Sequence, residues 1–273
     1  MKLDDLLSMP DVDAVDICLP TPHHLDACLA ALASGKHVLC EKPLARTAAD
    51  AQKISDAAAK SKGFFMPAMC MRFWPQWAWL KDAVDSGTYG RVLSASFSRM
   101  AAVPPGWYSN GEQSGGAILD LHIHDTDFIH YLFGPPRAVF SRGHTLVSGC
   151  VDHVHTQYLY DGGLSSPAPL VIAQGGWSPI PGYPFHMSYE AHFEKAVVKH
   201  DTAALPSFTL LHEGQVTQVP MTGDGYTGEL AYFLQCVRAG IAPSRVTALD
   251  AVASIRTVEA EKKSIETGRS VEL

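Results

Sequence analysis

His37-Val38-Leu39-Cys40-Glu41-Lys42-Pro43 decides how this chain is read: a short apolar strand runs into a charged pair and then a proline. The proline ring disfavours helical backbone in the residue before it, so Lys42 is held extended at the strand's end. A helical pattern begins again near Thr47, which leaves the ammonium at the carboxyl end of a strand. Open α/β sheets bind their ligands at that end.

Just upstream, Ala14 to Leu19 reads as a buried strand closed by Pro20-Thr21-Pro22. Thr21 is a candidate N-cap with Pro22 at the first helical position, and the alanine-rich helix that follows runs to about Ser34, with Gly35 as its stop. Strand, helix and strand in so short a span form one βαβ unit, with parallel pairing and a right-handed crossover. Downstream, a helix capped by Thr47 is expected over 47–62, then an apolar strand from Phe64 to Met69. The character changes after this, and the domain boundary is placed near Met69.

Beyond it, Trp74, Trp77 and Trp79 crowd a helix running to about Ser86, and 91–99 alternates as a strand. A Pro-, Gly- and Asn-rich loop covers 103–114, long enough to suggest a functional role. Gly115-Gly116 opens an amphipathic helix over 117–133. Period-two strands follow at 137–147, 153–160, 169–178, 187–198, 205–212 and 215–219, and two helices at 225–239 and 248–267 close the chain. The whole is an α/β unit followed by an α+β unit with a large, mainly antiparallel open sheet.

Composition narrows the function classes. Of 273 residues 47% are apolar and 18% charged, and a net charge of −7 without any dense Lys/Arg face excludes a nucleic-acid footprint. No apolar run is long enough to span a membrane and the N-terminus lacks a signal-peptide core, so a cytoplasmic protein is expected. Six scattered cysteines without a C-x-x-C spacing read as buried free thiols rather than disulfides or zinc ligands.

The helix at 117–133 carries Asp120, His122, His124, Asp125 and Asp127. Asp120 and His124 are four residues apart and share one helix face, while His122 and Asp125 point elsewhere. An imidazole beside a carboxylate is an oriented general base. The same cluster also suits a metal site completed by a ligand from elsewhere, or a helix start with acids favoured by the dipole. Residue spacing leaves all three readings open.

Asp13-Ala14-Val15, Pro20-Thr21-Pro22-x-His24, Gly35-Lys36-His37-Val38-x-x-Glu41-Lys42-Pro43 and Gly115-Gly116-Ala-Ile-Leu-Asp120-x-x-x-His124-Asp125 occur in the order and spacing of the Gfo/Idh/MocA oxidoreductases. The chain resembles that family over essentially its whole length. The resemblance implies a partial Rossmann domain in residues 1–69, then a substrate-binding and oligomerisation domain in 70–273. It implies NAD or NADP as cofactor, no metal, and a sugar, inositol or related polyol as substrate. Lys42, Asp120 and His124 take the catalytic roles: Lys42 on the reacting hydroxyl and the nicotinamide side, His124 as acid/base, Asp120 as substrate contact or orienting group. The Lys42–Pro43 peptide is expected to be cis, as is common in the family.

Pro20, Thr21, His24, Glu41, Lys42 and Pro43 fall where family members touch the cofactor. For Thr21 a simple cap competes with this role, and for His24 an exposed place in a helix's first turn. Arg72, Trp107, Trp177 and Tyr226 are candidate substrate contacts. A homodimer or homotetramer through the second-domain sheet is implied. An NAD-dependent, redox-assisted glycosidase and a non-catalytic regulatory or scaffold protein are the alternatives on the same fold.

One family feature is absent from the sequence: the G-x-G-x-x-G turn that seats the pyrophosphate, with the first half of the Rossmann domain around it. Either the chain is an incomplete dehydrogenase, or it is a genuine short form whose exposed sheet edge needs cover. On its own it is expected to bind a dinucleotide poorly and to show negligible dehydrogenase activity.

Overall fold

The computed structural model describes residues 2–163 and 168–273. After a short helix α1 (Leu3–Leu7), three parallel strands β1 (Ala14–Ile17), β2 (His37–Glu41) and β3 (Phe65–Ala68) lie in that order in one sheet. Register places Ile17 beside Cys40 and Glu41 beside Ala68, so the carboxyl ends of the strands form one rim. Helices α2 (His24–Ala33) and α3 (Ala48–Ala58) are the crossovers. Ala27, Cys28, Ala31 and Leu32 form the buried stripe of α2, the spacing of one face of an amphipathic helix.

Thr47 caps α3 by accepting from the Asp50 amide at 3.1 Å. The helix stops short of the expected 62: the Ser61 hydroxyl donates to the Leu32 carbonyl at 3.0 Å and the chain turns toward β3 at Gly63. A Cβ on Gly63 would meet the Lys36 carbonyl oxygen at 2.0 Å, so the turn admits only glycine. The cap expected at Thr21 does not form. Thr21 begins a 3-10 turn (Thr21–His23) whose N-cap is Pro20, and its buried hydroxyl has no partner.

Helix α4 (Pro75–Ser86) leads into β4 (Val92–Ala102), the centre of a nine-stranded sheet. The other strands are β5 (Ala138–His144), β6 (His153–Leu159), β7 (Leu170–Ser178), β8 (His186–Phe193), β9 (Ala196–Asp201), β10 (Phe208–His212), β11 (Gln215–Gln218) and β12 (Val271–Glu272). Their order is β11-β10-β9-β8-β4-β7-β6-β5-β12, with β4 and β7 parallel and the other neighbours antiparallel. The single strand expected over 187–198 is a hairpin. It turns at Glu194-Lys195, whose amides donate to the carbonyls of Arg91 and Tyr89, each at 3.0 Å. No glycine, proline or asparagine marks that turn, so the sequence signal for it is missing.

The helix expected at 117–133 is two helices, α6 (Ala117–Asp120) and α7 (Ile123–Phe133), preceded by α5 (Gly111–Ser114). Between them the His122 amide reaches back five residues to the Ala117 carbonyl at 2.8 Å, a widened turn of the π type. Helices α8 (Gly225–Ala239) and α9 (Ala248–Thr267) form where expected. α9 links the two sheets: Glu259 accepts from the Ala48 amide at 2.9 Å and Ser264 from the Ser141 amide at 2.8 Å. All six cysteines are free thiols; Cys28, Cys40, Cys70 and Cys236 are buried, Cys150 half-buried and Cys18 exposed.

Burial of one histidine in this interior makes stability pH-dependent. His130 of α7 bonds the Thr257 hydroxyl at 3.1 Å through Nε2, and burial pushes its pKa from 6.5 to about 4. The unfolded chain takes up that proton near 6.5 and the folded chain does not. This contribution is therefore whole above pH 6.5 and is lost as pH falls toward 4. The loss amounts to about 1.4 kcal/mol per pH unit, roughly 3 kcal/mol over the window. Urea unfolding across that pH range is expected to show it, and His130→Gln to flatten the slope; an unchanged slope in the variant would refute the assignment.

Candidate active site

The carboxyl ends of β1 and β2, the 3-10 turn Cys70–Phe73, the end of β4, the loop after it, α6 and the first turn of α7 surround a cleft of ≈ 550 Å³. Lys42 lies in its wall. Its Nζ donates to the Asp120 backbone carbonyl at 2.6 Å and to Asp120 Oδ1 at 3.0 Å, and the Lys42–Pro43 peptide is cis. Burial disfavours the ammonium, but the charge and hydrogen bond of Asp120, helped by Glu41, outweigh it and raise the Lys42 pKa. Glu41 Oε2 accepts from the Lys42 amide at 3.1 Å, and burial pushes this carboxyl up.

Asp120 and His124 both face the cleft although the helix between them is broken. They do not form the oriented pair that spacing suggested, because Asp120 is directed to Lys42. His124 Nδ1 is buried without a hydrogen-bond partner. Burial first, then the charges of Lys42 and Arg99, push the His124 pKa well below the ordinary histidine value, so its imidazole is neutral near pH 7. The remaining members of the cluster turn inward. His122 Nε2 lies 3.2 Å from Tyr158 Oη and 3.4 Å from Glu261 Oε1, Asp125 pairs with Arg99, and Asp127 pairs with Arg72. Among the described residues no three His, Cys, Asp or Glu side chains are placed to hold a metal ion.

Pro20, Thr21, Glu41, Trp107, Trp177 and Tyr226 all line the cleft. Three expected contacts do not. His24 is buried behind it, its ring nitrogens 2.7 Å from the Leu19 carbonyl and 3.0 Å from the Pro43 carbonyl at the ends of β1 and β2, and the one N–H of the neutral ring donates to one of the two. Burial lowers its pKa despite both carbonyls. Pro43 is buried beside it and takes no part in the lining. Arg72 is almost wholly buried and bidentate to Asp127, at 2.9 Å and 2.7 Å, with Nη1 on Asp250 and the Arg245 carbonyl. No donor of that fork is turned to the cleft.

The arginine of the cleft is Arg99, which the motifs of the sequence do not single out. Its signal was present: Ala95, Phe97 and Arg99 are alternate, inward positions of β4, and a charge there needs a buried partner. Asp125 supplies it, with Nε–Oδ2 3.0 Å and Nη2–Oδ1 2.8 Å. The loop after β4 brings Trp107 and Tyr108, stacked at 4.2 Å between centroids, and Tyr108 meets Trp177 edge-on at 6.4 Å.

Residues 1–69 match the model of the "Oxidoreductase family, NAD-binding Rossmann fold", and residues 77–196 match that of the Gfo/Idh/MocA C-terminal domain. The chain belongs to the Gfo/Idh/MocA family. It is 30% identical to the myo-inositol 2-dehydrogenase of Thermotoga maritima, over 98% of this chain and 82% of that one. It is 27% identical to the scyllo-inositol 2-dehydrogenase (NAD(+)) of Bacillus subtilis, over 98% and 80%. A levoglucosan dehydrogenase solved with NADH and levoglucosan shares the fold, with a TM-score of 0.83 at 21% identity over 98% of this chain and 82% of that one.

The residues of this Gfo/Idh/MocA chain fit a group of a dinucleotide cofactor at the rim. Thr21 Oγ1 is buried, unpartnered and on the cleft wall, at the end of β1 where a ligand group could satisfy it. No described helix is long and apolar enough to cross a membrane.

Proposed function

We propose that this protein is an NAD(P)-dependent oxidoreductase acting on the CH–OH group of a sugar, inositol or related polyol. One observation carries the reading: a Lys42 ammonium tied to Asp120 shares a cleft with a neutral, unpartnered His124 at the carboxyl ends of parallel strands. The inositol dehydrogenases among its relatives support the substrate class. Residues 1–69 form the cofactor side and 70–273 the substrate side. Pro20, Thr21, Glu41 and Lys42 hold the dinucleotide's nicotinamide end, while His24 and Pro43 brace them from behind. A bound nicotinamide supplies the hydride acceptor.

The chain's own residues handle the proton and the charge. His124 Nδ1 is buried, which leaves Nε2 to take the substrate hydroxyl's proton. Lys42 has an N–H beyond the two that Asp120 engages, and directs it at the hydroxyl oxygen as negative charge grows there. Asp120 fixes the ammonium so that no reorientation is needed during the reaction. Association through the outer face of the nine-stranded sheet fits its exposed Leu170 and Ile172.

The test is hydride transfer from a panel of inositols and sugars with NAD and NADP, followed by dinucleotide absorbance. Polyol-dependent reduction is what this reading expects, and it would overturn the expectation of negligible activity. A folded preparation that reduces neither dinucleotide with any polyol, at any cofactor concentration, sinks the proposal.

A further inference from the structure

We propose that the cleft selects neutral polyols and rejects carboxylated ones, because each of its cations is already matched by a carboxylate of the chain. The inference rests on the polyol reading above and narrows it. Among the described residues, Lys42 and Arg99 are the two lysine or arginine side chains lining the cleft. Lys42 is held by Asp120 at 3.0 Å, and Arg99 by Asp125 through two hydrogen bonds of 3.0 Å and 2.8 Å. The Arg99 and Asp125 side chains are 2% and 1% exposed, so neither can swing away to meet a ligand. Glu41 adds a third carboxyl with no cation of its own.

Arg72, the arginine whose place after β3 suggested a carboxylate clamp, is committed to Asp127 outside the cleft. A substrate carboxylate would give up its water and find no unpaired cation. A neutral ring meets the opposite conditions. Trp74, Trp107, Tyr108, Trp177, Phe185 and Tyr226 present aromatic surface for its C–H faces. Trp177 Nε1 is a buried donor without a partner, suited to a hydroxyl or ring oxygen.

Three of the chain's five tryptophans line the cleft, so their fluorescence reports binding without any turnover. D-glucose and D-galactose are titrated beside the matching uronates and the uronate methyl esters, near neutral pH with the acids ionised. The esters keep the size of the acids and remove the charge. The neutral sugar and the ester are expected to bind about tenfold or more tighter than the acid. Asp125→Asn, which releases Arg99, is expected to narrow that ratio about threefold or more.

A uronate that binds as tightly as its ester overturns the inference, and so does a folded Asp125→Asn protein with an unchanged ratio. If the variant does not fold, the wild-type ratio alone decides. Oxidation of a uronate in preference to its ester leaves the oxidoreductase reading intact and sinks only the charge selection. Failure of every neutral sugar to bind or react removes both.

Discussion

Lys42→Met is expected to lower kcat for polyol oxidation by about 10²–10³ while leaving the substrate KM within a few-fold, the cost typical of removing one donor to a developing oxyanion. The asymmetry between the two constants follows from when the contact matters. In the ground state the substrate oxygen is a neutral hydroxyl that water solvates well, and the ammonium gains little from it. In the proposed reaction the proton leaves for His124 as the hydride departs, charge grows on that oxygen and the interaction strengthens, so its loss is expected to appear in kcat. Lys42→Arg is not expected to restore the rate: a planar guanidinium would pair with Asp120 as a fork and could not reproduce the point charge at 2.6 Å and 3.0 Å from its two acceptors.

The substitution also leaves the Asp120 carboxylate, whose side chain is 8% exposed, without its cation. Unfolding in urea must accompany the kinetics, because about 1–3 kcal/mol of stability is lost when a buried polar group loses its partner. A loss of rate no larger than tenfold in a fully folded variant would show that Lys42 is a strand-end charge and no more.

What the sequence discloses about this site depends on how local the cause is. Lys42 is legible because strand, lysine and proline are neighbours and the proline acts on the residue beside it. Asp120 and His124 are legible because a four-residue spacing survives the widened turn at His122. The arginines are not. Arg72 follows β3 and Arg99 lies within β4, and which one reaches the cleft depends on which aspartate of α7 each meets. Asp125 and Asp127, two residues apart, point about 200° from one another around the helix, so one pair closes against the cleft and the other against α9.

The place of His24 is not legible in the sequence for the same reason. Its burial depends on the carbonyls of Leu19 and Pro43, brought together by parallel pairing of β1 with β2. Thr21, by contrast, has the residue type and position of a cap, and fails to be one because a 3-10 turn begins at it. The cost is a buried hydroxyl without a partner, a sign of a ligand that sequence cannot display.

Arg72→Met is expected to destabilise the fold by about 3–5 kcal/mol, the usual consequence of removing one member of a buried ion pair. Arg72 makes two bonds to Asp127 at 2.9 Å and 2.7 Å, a third to the Arg245 carbonyl at 2.8 Å, and lies 4.5 Å from the centroid of Tyr131. Burial works against the guanidinium, yet Asp127 and Asp250 hold its pKa above the ordinary arginine value. Without Arg72, the Asp127 carboxyl is left without its cation in a site 1% exposed, with Ser254 as its weak remaining donor at 3.3 Å.

Against a typical total stability of about 5–15 kcal/mol, that loss moves the urea midpoint far. The fraction that stays folded should keep its substrate KM, because Arg72 does not touch the cleft. Removing both charges separates the two explanations of any defect. Arg72→Met/Asp127→Leu leaves no unpaired charge and is expected to be more stable than Arg72→Met alone, since apolar groups of similar volume commonly replace a buried pair at little cost. If Arg72 acted on substrate instead, the double variant would regain no KM, and the single variant would raise KM without shifting the midpoint.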